Sequence, residues 1–286
     1  MRPGQSSLGT QAGEKEAILC RIPAFRPIVL KLLRVLGDDN ASMSKVTELL
    51  NADPGMSAEI LTAANSAAYG TARRISTTAR AIVMLGTERT KALATKAALD
   101  AMLRDIGNHP TIGNCWSHSR ATAVIAQWLA PSFRIHPDRA YTAGLMHDVG
   151  RLGLLSLDSR NYTLLLDTTG MTDEDVLEAE RMMLKVDHCQ AGAWLTRAWG
   201  FPDELQLAAS QHHAHRDAVR DPGVGLARLS CAMAQALGYK AVPLVISSEI
   251  EDLLEEVPDL DRQDSAAWLA TLGDRLEKEL GDQGVQ

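Results

Sequence analysis

Apolar residues recur at helical spacing along nearly the whole chain, and this periodicity limits the possible folds more than any other feature. The clearest examples are VLKLLRVL, AEILTAANSAAYG, HSRATAVIAQWLA and GLARLSCAMAQALG, in which apolar residues stand three or four positions apart. Hydrophobic residues make up 45% of the 286 residues and aromatic residues only 4%, a Leu- and Ala-rich balance that favours helix. The one short run with β character, AVPLVI, contains Pro243, which argues against a strand. We therefore predict an all-α fold.

Interruptions of the helical pattern indicate how the chain is divided. Residues 1–17 are rich in Gly, Ser and Gln, and we expect a flexible N-terminus there. The segment IGNHPTIGNC, near residues 105–115, contains two Gly, a Pro and two Asn, which predicts a linker. We expect two lobes within residues 18–240, an N-terminal helical lobe at 18–107 and a histidine-bearing helical lobe at 112–240. An acidic helical extension would follow at 241–286.

Capping residues predict where individual helices begin and end. Gly37 is expected to end the first helix, because glycine is common just after a helix C-terminus. Ser44 is expected to cap the helix VTELL, which would stop before Asp53-Pro54 because a residue that precedes proline avoids helical backbone angles. Ser57 is then expected to open the next helix.

Negative charge is concentrated at the C-terminal end of the chain. The net charge is -7, but residues 241–286 alone carry 12 acidic and 3 basic side chains, which leaves about +2 on the rest. The pattern of residues 249–257 and 264–280 predicts amphipathic acidic helices, which either pack on the body or dock a partner. A nucleic-acid footprint is not expected, although the stretch Arg73–Lys96 is locally basic.

The four cysteines, Cys20, Cys115, Cys189 and Cys231, have no C-x-x-C spacing. We expect no signal peptide before them, and no apolar run reaches the roughly 18–20 residues that a membrane span needs. We therefore expect a soluble cytoplasmic protein with reduced thiols. Buried free cysteines commonly behave as small hydrophobic residues, which is our expectation for Cys115, Cys189 and Cys231.

The pair His147-Asp148, in the run AGLMHDVGRLGLL, is the strongest functional signal. Neither side chain is easily buried beside leucines without a polar partner. On a helix, adjacent side chains diverge by about a quarter turn, so a metal or a shared polar cleft would have to hold these two together.

Other histidines lie where a helical bundle could bring them to the same point: His118, His188, His212 and His213. His118 is expected to open a helix. We expect one of the adjacent His212 and His213 to face solvent or cap the helix. His109, His136 and His215 lie in polar segments and are expected at the surface.

The histidine order H…HD…H…HH and its surroundings resemble the HDOD domain, the HD-related output domain of bacterial signalling proteins. The segments that carry the resemblance are NADPGMSAEILTAANSAAYG, ISTTARAIVMLG, CWSHSRATAVIAQWLA, AYTAGLMHDVGRLGLL and DHCQAGAWLTRAWGFPDEL. It extends from about residue 22 to about residue 238. It implies an all-α domain with an HD-like second lobe, usually regulatory, in which catalysis is not a general property.

The related HD metal-dependent phosphohydrolases bind one or two divalent metals through imidazoles and carboxylates, and the metal activates water. The resemblance implies a cluster, polar or metal-binding, formed by His118, His147, Asp148, His188, His212 and His213. One position departs from the pattern, because Cys231 stands where HD enzymes carry a late Asp. Loss of this hard ligand weakens the case for Mg²⁺ or Mn²⁺, whereas a thiolate would favour Zn²⁺ or another softer ion such as Fe²⁺. The sequence leaves open whether Cys231 is a ligand or a space-filling residue.

These observations predict a bacterial signal-transduction domain that acts by binding a signalling protein or a small ligand. Its working surfaces would be helical grooves and the cleft between the lobes, and its HD site would be degenerate but able to hold a divalent metal. The alternative is a divalent-metal-dependent phosphohydrolase acting on a nucleotide or cyclic dinucleotide. In that case His147 and Asp148 would be catalytic, and Arg151 or Lys185 would reach the phosphate. A nucleic-acid-binding regulator that uses the Arg73–Lys96 stretch is a third possibility.

Overall fold

The computed structural model describes residues 27–38, 40–66, 74–106, 109–245, 248–260 and 265–281. Within these ranges the long regular elements are α-helices. In chain order they are α1 (Pro27–Gly37), α2 (Met43–Asn51), α3 (Pro54–Ala64), α4 (Thr78–Leu85), α5 (Thr87–Ile106), α6 (Pro110–Leu129), α7 (Pro137–Met146), α8 (Val149–Leu157), α9 (Ser159–Leu166), α10 (Asp173–Leu184), α11 (His188–Ala198), α12 (Asp203–Gln211), α13 (Pro222–Ala236), α14 (Ile250–Leu254) and α15 (Ser265–Leu280). A short 3-10 turn, Arg216–Ala218, lies between α12 and α13.

The all-α prediction is confirmed, and the described part of AVPLVI, residues 241–245, forms no strand. No helix of the described segments has both the length and the apolar character that crossing a membrane requires.

The chain divides into two compact units. The first unit comprises Pro23–Gly107 together with Arg197–Asp203, and the second comprises Asn108–Thr196 and Glu204–Gln286, over the described residues of each. The expected flexible N-terminus at 1–17 lies outside those residues. The second unit contains the predicted histidine cluster and both helices of the acidic extension.

In the first unit α1 packs on α2 and α5, and α3 packs on α4 and α5. Leu33, Leu50 and Ile60 are fully buried at these contacts. Two cations of the locally basic stretch do not stand free at the surface, because Lys91 is buried and Lys96 forms ion pairs with Glu59 and Asp100. Arg73 lies outside the described residues.

In the second unit α6 is the central helix and packs on α7, α13 and α15. Gly144 on α7 allows the close approach of α6, since a Cβ at this position would lie 2.7 Å from the Cα of Ala123. This contact fixes the end of α7 relative to α6. Any residue larger than glycine would force the two backbones apart.

The acidic extension packs on the second unit through α15. Leu272 and Leu276 are buried, and the ring of Trp268 lies 5.9 Å from that of Trp128 on α6. The guanidinium of Arg275 stacks over Trp128 at 4.7 Å, which adds a cation–π contact. Of the two alternatives for the extension, the structure therefore shows packing on the body.

Several predicted helix ends differ from the structure. Helix α3 begins at Pro54 rather than Ser57, because the carboxylate of Asp53 caps the backbone amides of residues 55 and 56 and proline fits the first helical turn. Ser44 lies inside α2, whose N-cap is Ser42. Within the predicted linker, α6 already begins at Pro110, so His118 lies inside a helix instead of opening one.

Candidate metal centre

His147 and Asp148 lie in the break between α7, which ends at Met146, and α8, which begins at Val149. They are therefore not neighbours on a continuous helix, as the sequence suggested. Asp148 has backbone angles of -101° and 14°, which interrupt the helical path. His147 is fully buried and Asp148 is 4% exposed. The break lets both side chains point into the interior of the second unit.

The other predicted residues reach this point from separate elements. His118 lies in the middle of α6, and His188 is the first residue of α11. Gly150, in the first turn of α8, allows α11 to approach, because a Cβ there would lie only 1.8 Å from the carbonyl oxygen of His188. This backbone contact holds His188 next to Asp148.

His212 and His213 follow the last residue of α12, Gln211, and so lie in a turn. His212 is 1% exposed, and the side chain of His213 is only 10% exposed. Neither faces open solvent, but the predicted alternative of a cap holds, because Nδ1 of His212 contacts the carbonyl oxygen of Ala209 in the last turn of α12. Their rings lie 4.3 Å apart, and that of His213 is also 5.2 Å from the ring of His188.

The polar side chains form two groups that share Asp148 as a neighbour. In the first group the ligand atoms of Asp148, His188, His212 and His213 lie within 4.8 Å of one another, and the same limit holds for His118, His147 and Cys231 in the second. The Oδ1 atom of Asp148 is 3.4 Å from the Nε2 atoms of both His188 and His212. Its Oδ2 atom is 3.9 Å from Nε2 of His147 and 4.0 Å from Nε2 of His118.

Each of four histidines contacts an oxygen outside the centre through Nδ1. The acceptors are the carbonyl oxygens of Tyr239 (2.7 Å, from His118), Gly144 (2.6 Å, from His147) and Ala209 (3.1 Å, from His212), and a carboxylate oxygen of Glu180 (2.7 Å, from His188). Because a carbonyl or carboxylate oxygen can only accept, we assign the proton to Nδ1 in all four rings. The Nε2 atoms therefore face the centre without a proton, the state in which an imidazole nitrogen can bind a metal.

Three of the central atoms have no hydrogen-bond partner although they are buried: Oδ1 of Asp148, Nε2 of His188 and Nε2 of His212. An unpartnered buried polar atom costs about 1–3 kcal/mol, so three together are costly. A divalent cation would satisfy all three at once. The residues therefore fit a metal ion, and an N/O donor set of this kind suits zinc, iron or manganese.

Arg151 is 2% exposed and is held by two carboxylates, contrary to the prediction that it could reach a phosphate. Its Nε donates to Oδ2 of Asp148 at 2.8 Å, and its Nη1 donates to Glu180 at 3.3 Å. Burial would raise the pKa of Asp148, but Arg151 and His147 hold that pKa well below its usual range. Lys185, the other candidate, is exposed and donates to the carbonyl oxygen of Met182.

Glu180 on α10 is a member of this network that the sequence analysis missed. It is fully buried and accepts hydrogen bonds from the backbone amide and Nδ1 of His188 and from the hydroxyl of Tyr162. Burial would raise its pKa, but His188 and Arg151 lower it to about 2. The available signal was position, since Glu180 follows the buried Val176 by one helical turn.

Cys231 on α13 contacts the centre directly, whereas the other two described cysteines do not belong to it. Its Sγ atom lies 3.5 Å from Nε2 of His118. Cys115 and Cys189 are buried as predicted, and Sγ of Cys115 lies near the carbonyl oxygen of Ala241. Burial raises the pKa of Cys115 to about 12, so this thiol stays protonated near neutral pH.

The three histidines expected at the surface, His109, His136 and His215, are exposed. His109 and His136 also cap helices, since their Nδ1 atoms accept from the backbone amides of Thr111 and Asp138. The surface prediction is confirmed for all three.

Comparison with known proteins identifies one family and several related folds. The family model of the HDOD domain matches residues 22–215. A crystal structure of an HDOD domain protein of unknown function from Geobacter sulfurreducens is 20% identical, with a TM-score of 0.65, and the match covers 96% of this chain and 99% of that one. A Shewanella amazonensis SB2B protein provisionally named a phosphohydrolase is 21% identical, with a TM-score of 0.67 and coverage of 96% and 98%. At these identities the structural likeness shows the fold alone.

Two further matches are partial. A protein from Marinobacter aquaeolei VT8, provisionally named a signal transduction protein, is 24% identical with a TM-score of 0.68, and the match covers 92% of this chain and 60% of that one. An uncharacterized protein from Treponema pallidum (strain Nichols) is 21% identical over 197 residues, which are 67% of this chain and 37% of the relative. The chain thus spans little more than a third of the length of this curated relative.

Proposed function

The chain belongs to the HDOD family, and on this basis we propose that it is a regulatory domain of bacterial signal transduction that binds a divalent metal ion at its histidine–aspartate centre. In this proposal it works in the cytoplasm and acts by binding a signalling protein or a small ligand. The observation that carries the metal assignment is the common orientation of four histidines, whose Nδ1 atoms are engaged outside and whose Nε2 atoms face the centre.

The outer contacts of the centre support a metal as its ligand. Metal-binding histidines generally donate a hydrogen bond from the N–H of their second ring nitrogen to a carbonyl or carboxylate oxygen, which fixes the ring and raises its basicity. Glu180 does this for His188, and a backbone carbonyl does it for each of the other three. Asp148, His188 and His212 would hold the ion, with His213 in reach of the same point.

Burial and charge pairing argue for a binding role over catalysis. A divalent ion at such a centre would lower the pKa of a bound water and neutralise phosphate charge. A phosphate ester would also need access and a free cation, yet His147, Asp148, His188 and His212 are at most 4% exposed. Arg151, the cation nearest to them in sequence, is already paired with Asp148 and Glu180. In this proposal the ion stabilises the second unit, and the surface around it binds the signalling protein or small ligand.

A stability measurement tests whether the ion binds at this centre. A ligand that binds only the folded state adds about 2.7 kcal/mol at a concentration of 100 Kd. We expect Zn²⁺, Fe²⁺ or Mn²⁺ to raise the unfolding midpoint of the wild-type protein and of a His215→Ala control, but not that of His212→Ala. An equal rise in all three proteins would rule out the assignment.

A turnover assay separates the regulatory proposal from the phosphohydrolase alternative. The protein, loaded in turn with Mg²⁺, Mn²⁺, Fe²⁺ and Co²⁺, is incubated with a panel of nucleotides and cyclic dinucleotides. We expect no hydrolysis above the level of His147→Ala. Metal-dependent turnover that disappears in His147→Ala would contradict the regulatory proposal and establish the alternative.

A further inference from the structure

Cys231 and two histidines form a subsite that differs chemically from the rest of the centre. Nε2 of His118 lies 3.2 Å from Nε2 of His147 and 3.5 Å from Sγ of Cys231. All three residues are at most 3% exposed. The other group, built on Asp148, His188, His212 and His213, offers nitrogen and oxygen atoms only.

The two imidazoles of this subsite face each other without a proton between them. Nδ1 of His118 donates to the carbonyl oxygen of Tyr239, and Nδ1 of His147 donates to that of Gly144. In the neutral rings the Nε2 atoms therefore carry lone pairs, and two lone pairs directed at each other over 3.2 Å repel. A cation between them would turn this repulsion into two bonds.

Two of the distances between the donor atoms match those around a tetrahedral ion of zinc size, and all three atoms lie within 4.8 Å of one another. Zinc binds imidazole nitrogen at about 2.0–2.1 Å and thiolate sulfur at about 2.3 Å, so in a tetrahedron two nitrogens lie about 3.3 Å apart and a nitrogen and a sulfur about 3.6 Å apart. The observed separations are 3.2 and 3.5 Å. The amide nitrogen of Gln235 lies 3.8 Å from the sulfur and donates to it, as an outer partner of a thiolate would.

We propose that His118, His147 and Cys231 form a thiolate-containing metal subsite that selects a soft or borderline divalent ion, zinc above all. This inference rests on the proposed function, because it assigns ligands within the same centre. When the metal–sulfur bond forms, the S–H bond of Cys231 breaks and its proton passes to solvent. Soft thiolate donors disfavour Mg²⁺ and Mn²⁺ relative to zinc, so this one side chain sets the metal preference.

Cobalt is the probe for the sulfur ligand, because a thiolate bound to Co²⁺ gives an intense near-ultraviolet charge-transfer band that nitrogen and oxygen ligands do not give. We expect this band when the full-length protein is titrated with Co²⁺, and also in Cys115→Ser, which removes a buried thiol outside the subsite. Cys231→Ser should lack the band. Bound Co²⁺ without the band in the wild type, or a band that persists in Cys231→Ser, would overturn this proposal and leave the metal-binding function intact. If none of the proteins binds Co²⁺, the proposed function fails as well.

A second variant tests metal selection independently of the spectrum. Loss of an outer contact alone weakens metal binding by about 10–100-fold, so loss of a direct ligand in Cys231→Ser should lower the affinity for Cd²⁺ by more than about tenfold. Cys231→Asp supplies a hard oxygen and should shift the ratio of Cd²⁺ to Mn²⁺ affinity towards Mn²⁺. An unchanged ratio in Cys231→Asp would show that the sulfur is not a ligand.

Discussion

The guanidinium of Arg151 donates to the carboxylate of Asp148 over 2.8 Å, with both side chains almost entirely removed from solvent. Arg151 also reaches Glu180, so one cation compensates two buried anions. On one side of the histidine–aspartate centre, Arg151, Asp148 and Glu180 thus form a buried network of ion pairs. On the other side, the Nε2 atoms of the histidines face inward. A loss anywhere in this network leaves a buried charge without its partner.

Replacing Arg151 by methionine should strongly destabilise the protein. Breaking a buried ion pair by removal of one partner costs about 3–5 kcal/mol, because the remaining charge stays buried. Urea unfolding of Arg151→Met measures this loss as a fall in the free energy of unfolding. Arg160→Met removes an exposed arginine on α9 and should change stability by no more than about 0.5 kcal/mol. Equal stability of the two variants would show that the buried network contributes nothing.

Replacing Glu180 by glutamine should weaken metal binding without removing a metal ligand. Glu180 accepts the Nδ1 proton of His188 and supports the basicity of that ring. We expect the metal affinity to fall by about 10–100-fold, measured by competition with a chromophoric chelator. Glu174→Gln, an exposed position in the first turn of the same helix, is the matched control. Identical affinities in the two variants would argue that His188 does not bind the ion.

Replacing Leu272 by alanine tests the packing of the acidic extension. Leu272 is fully buried on α15, and truncation of a buried leucine to alanine costs about 2–5 kcal/mol. The free energy of unfolding of Leu272→Ala should fall by this amount, while Lys278→Ala, exposed on the same helix, should leave it nearly unchanged. A Leu272→Ala protein as stable as the wild type would mean that the extension does not pack on the second unit in solution.

The stability of the first unit should depend on pH through Lys96. Burial alone would lower the pKa of this lysine, but Asp100 and Glu59 outweigh it and raise the pKa above the ordinary value of 10.5. A raised pKa means that the folded state holds the proton more tightly, so the contribution is complete below pH 10.5 and is lost as the pH rises through the folded-state pKa. Urea unfolding should therefore show Lys96→Met less stable than the wild type at pH 8, with the gap closing above pH 10.5. A gap independent of pH would refute this account.

The sequence predicts the helical architecture well because apolar periodicity and capping residues are local signals. It fails where two local signals compete. Asp53-Pro54 stops one helix and also starts the next, whereas the rule for residues before proline predicts only the stop. His109-Pro110 starts α6 by the same combination of a capping side chain and a first-turn proline, although glycine and asparagine around it suggested a linker.

The candidate site was predicted by residue type but not by the contacts that hold it. His147-Asp148 and His212-His213 lie in breaks between helices, which no periodicity shows. Glu180 was missed because an acidic helix such as α10 ordinarily has solvated carboxylates, and its burial depends on Arg151 and Tyr162, which are distant in sequence. The pairing of Arg151 with Glu180 likewise depends on the approach of α8 to α10, which no local pattern of the sequence indicates.

The metal content of the purified protein tests the central claim most directly. Untagged wild-type protein, His188→Ala and the surface control His215→Ala are purified without chelator and measured by inductively coupled plasma mass spectrometry. We predict near-stoichiometric divalent metal in the wild type and in His215→Ala, and a clear loss in His188→Ala. Folded wild-type protein without metal that also fails to take up added Zn²⁺, Fe²⁺ or Mn²⁺, or the same content in all three proteins, would contradict a metal centre at these residues.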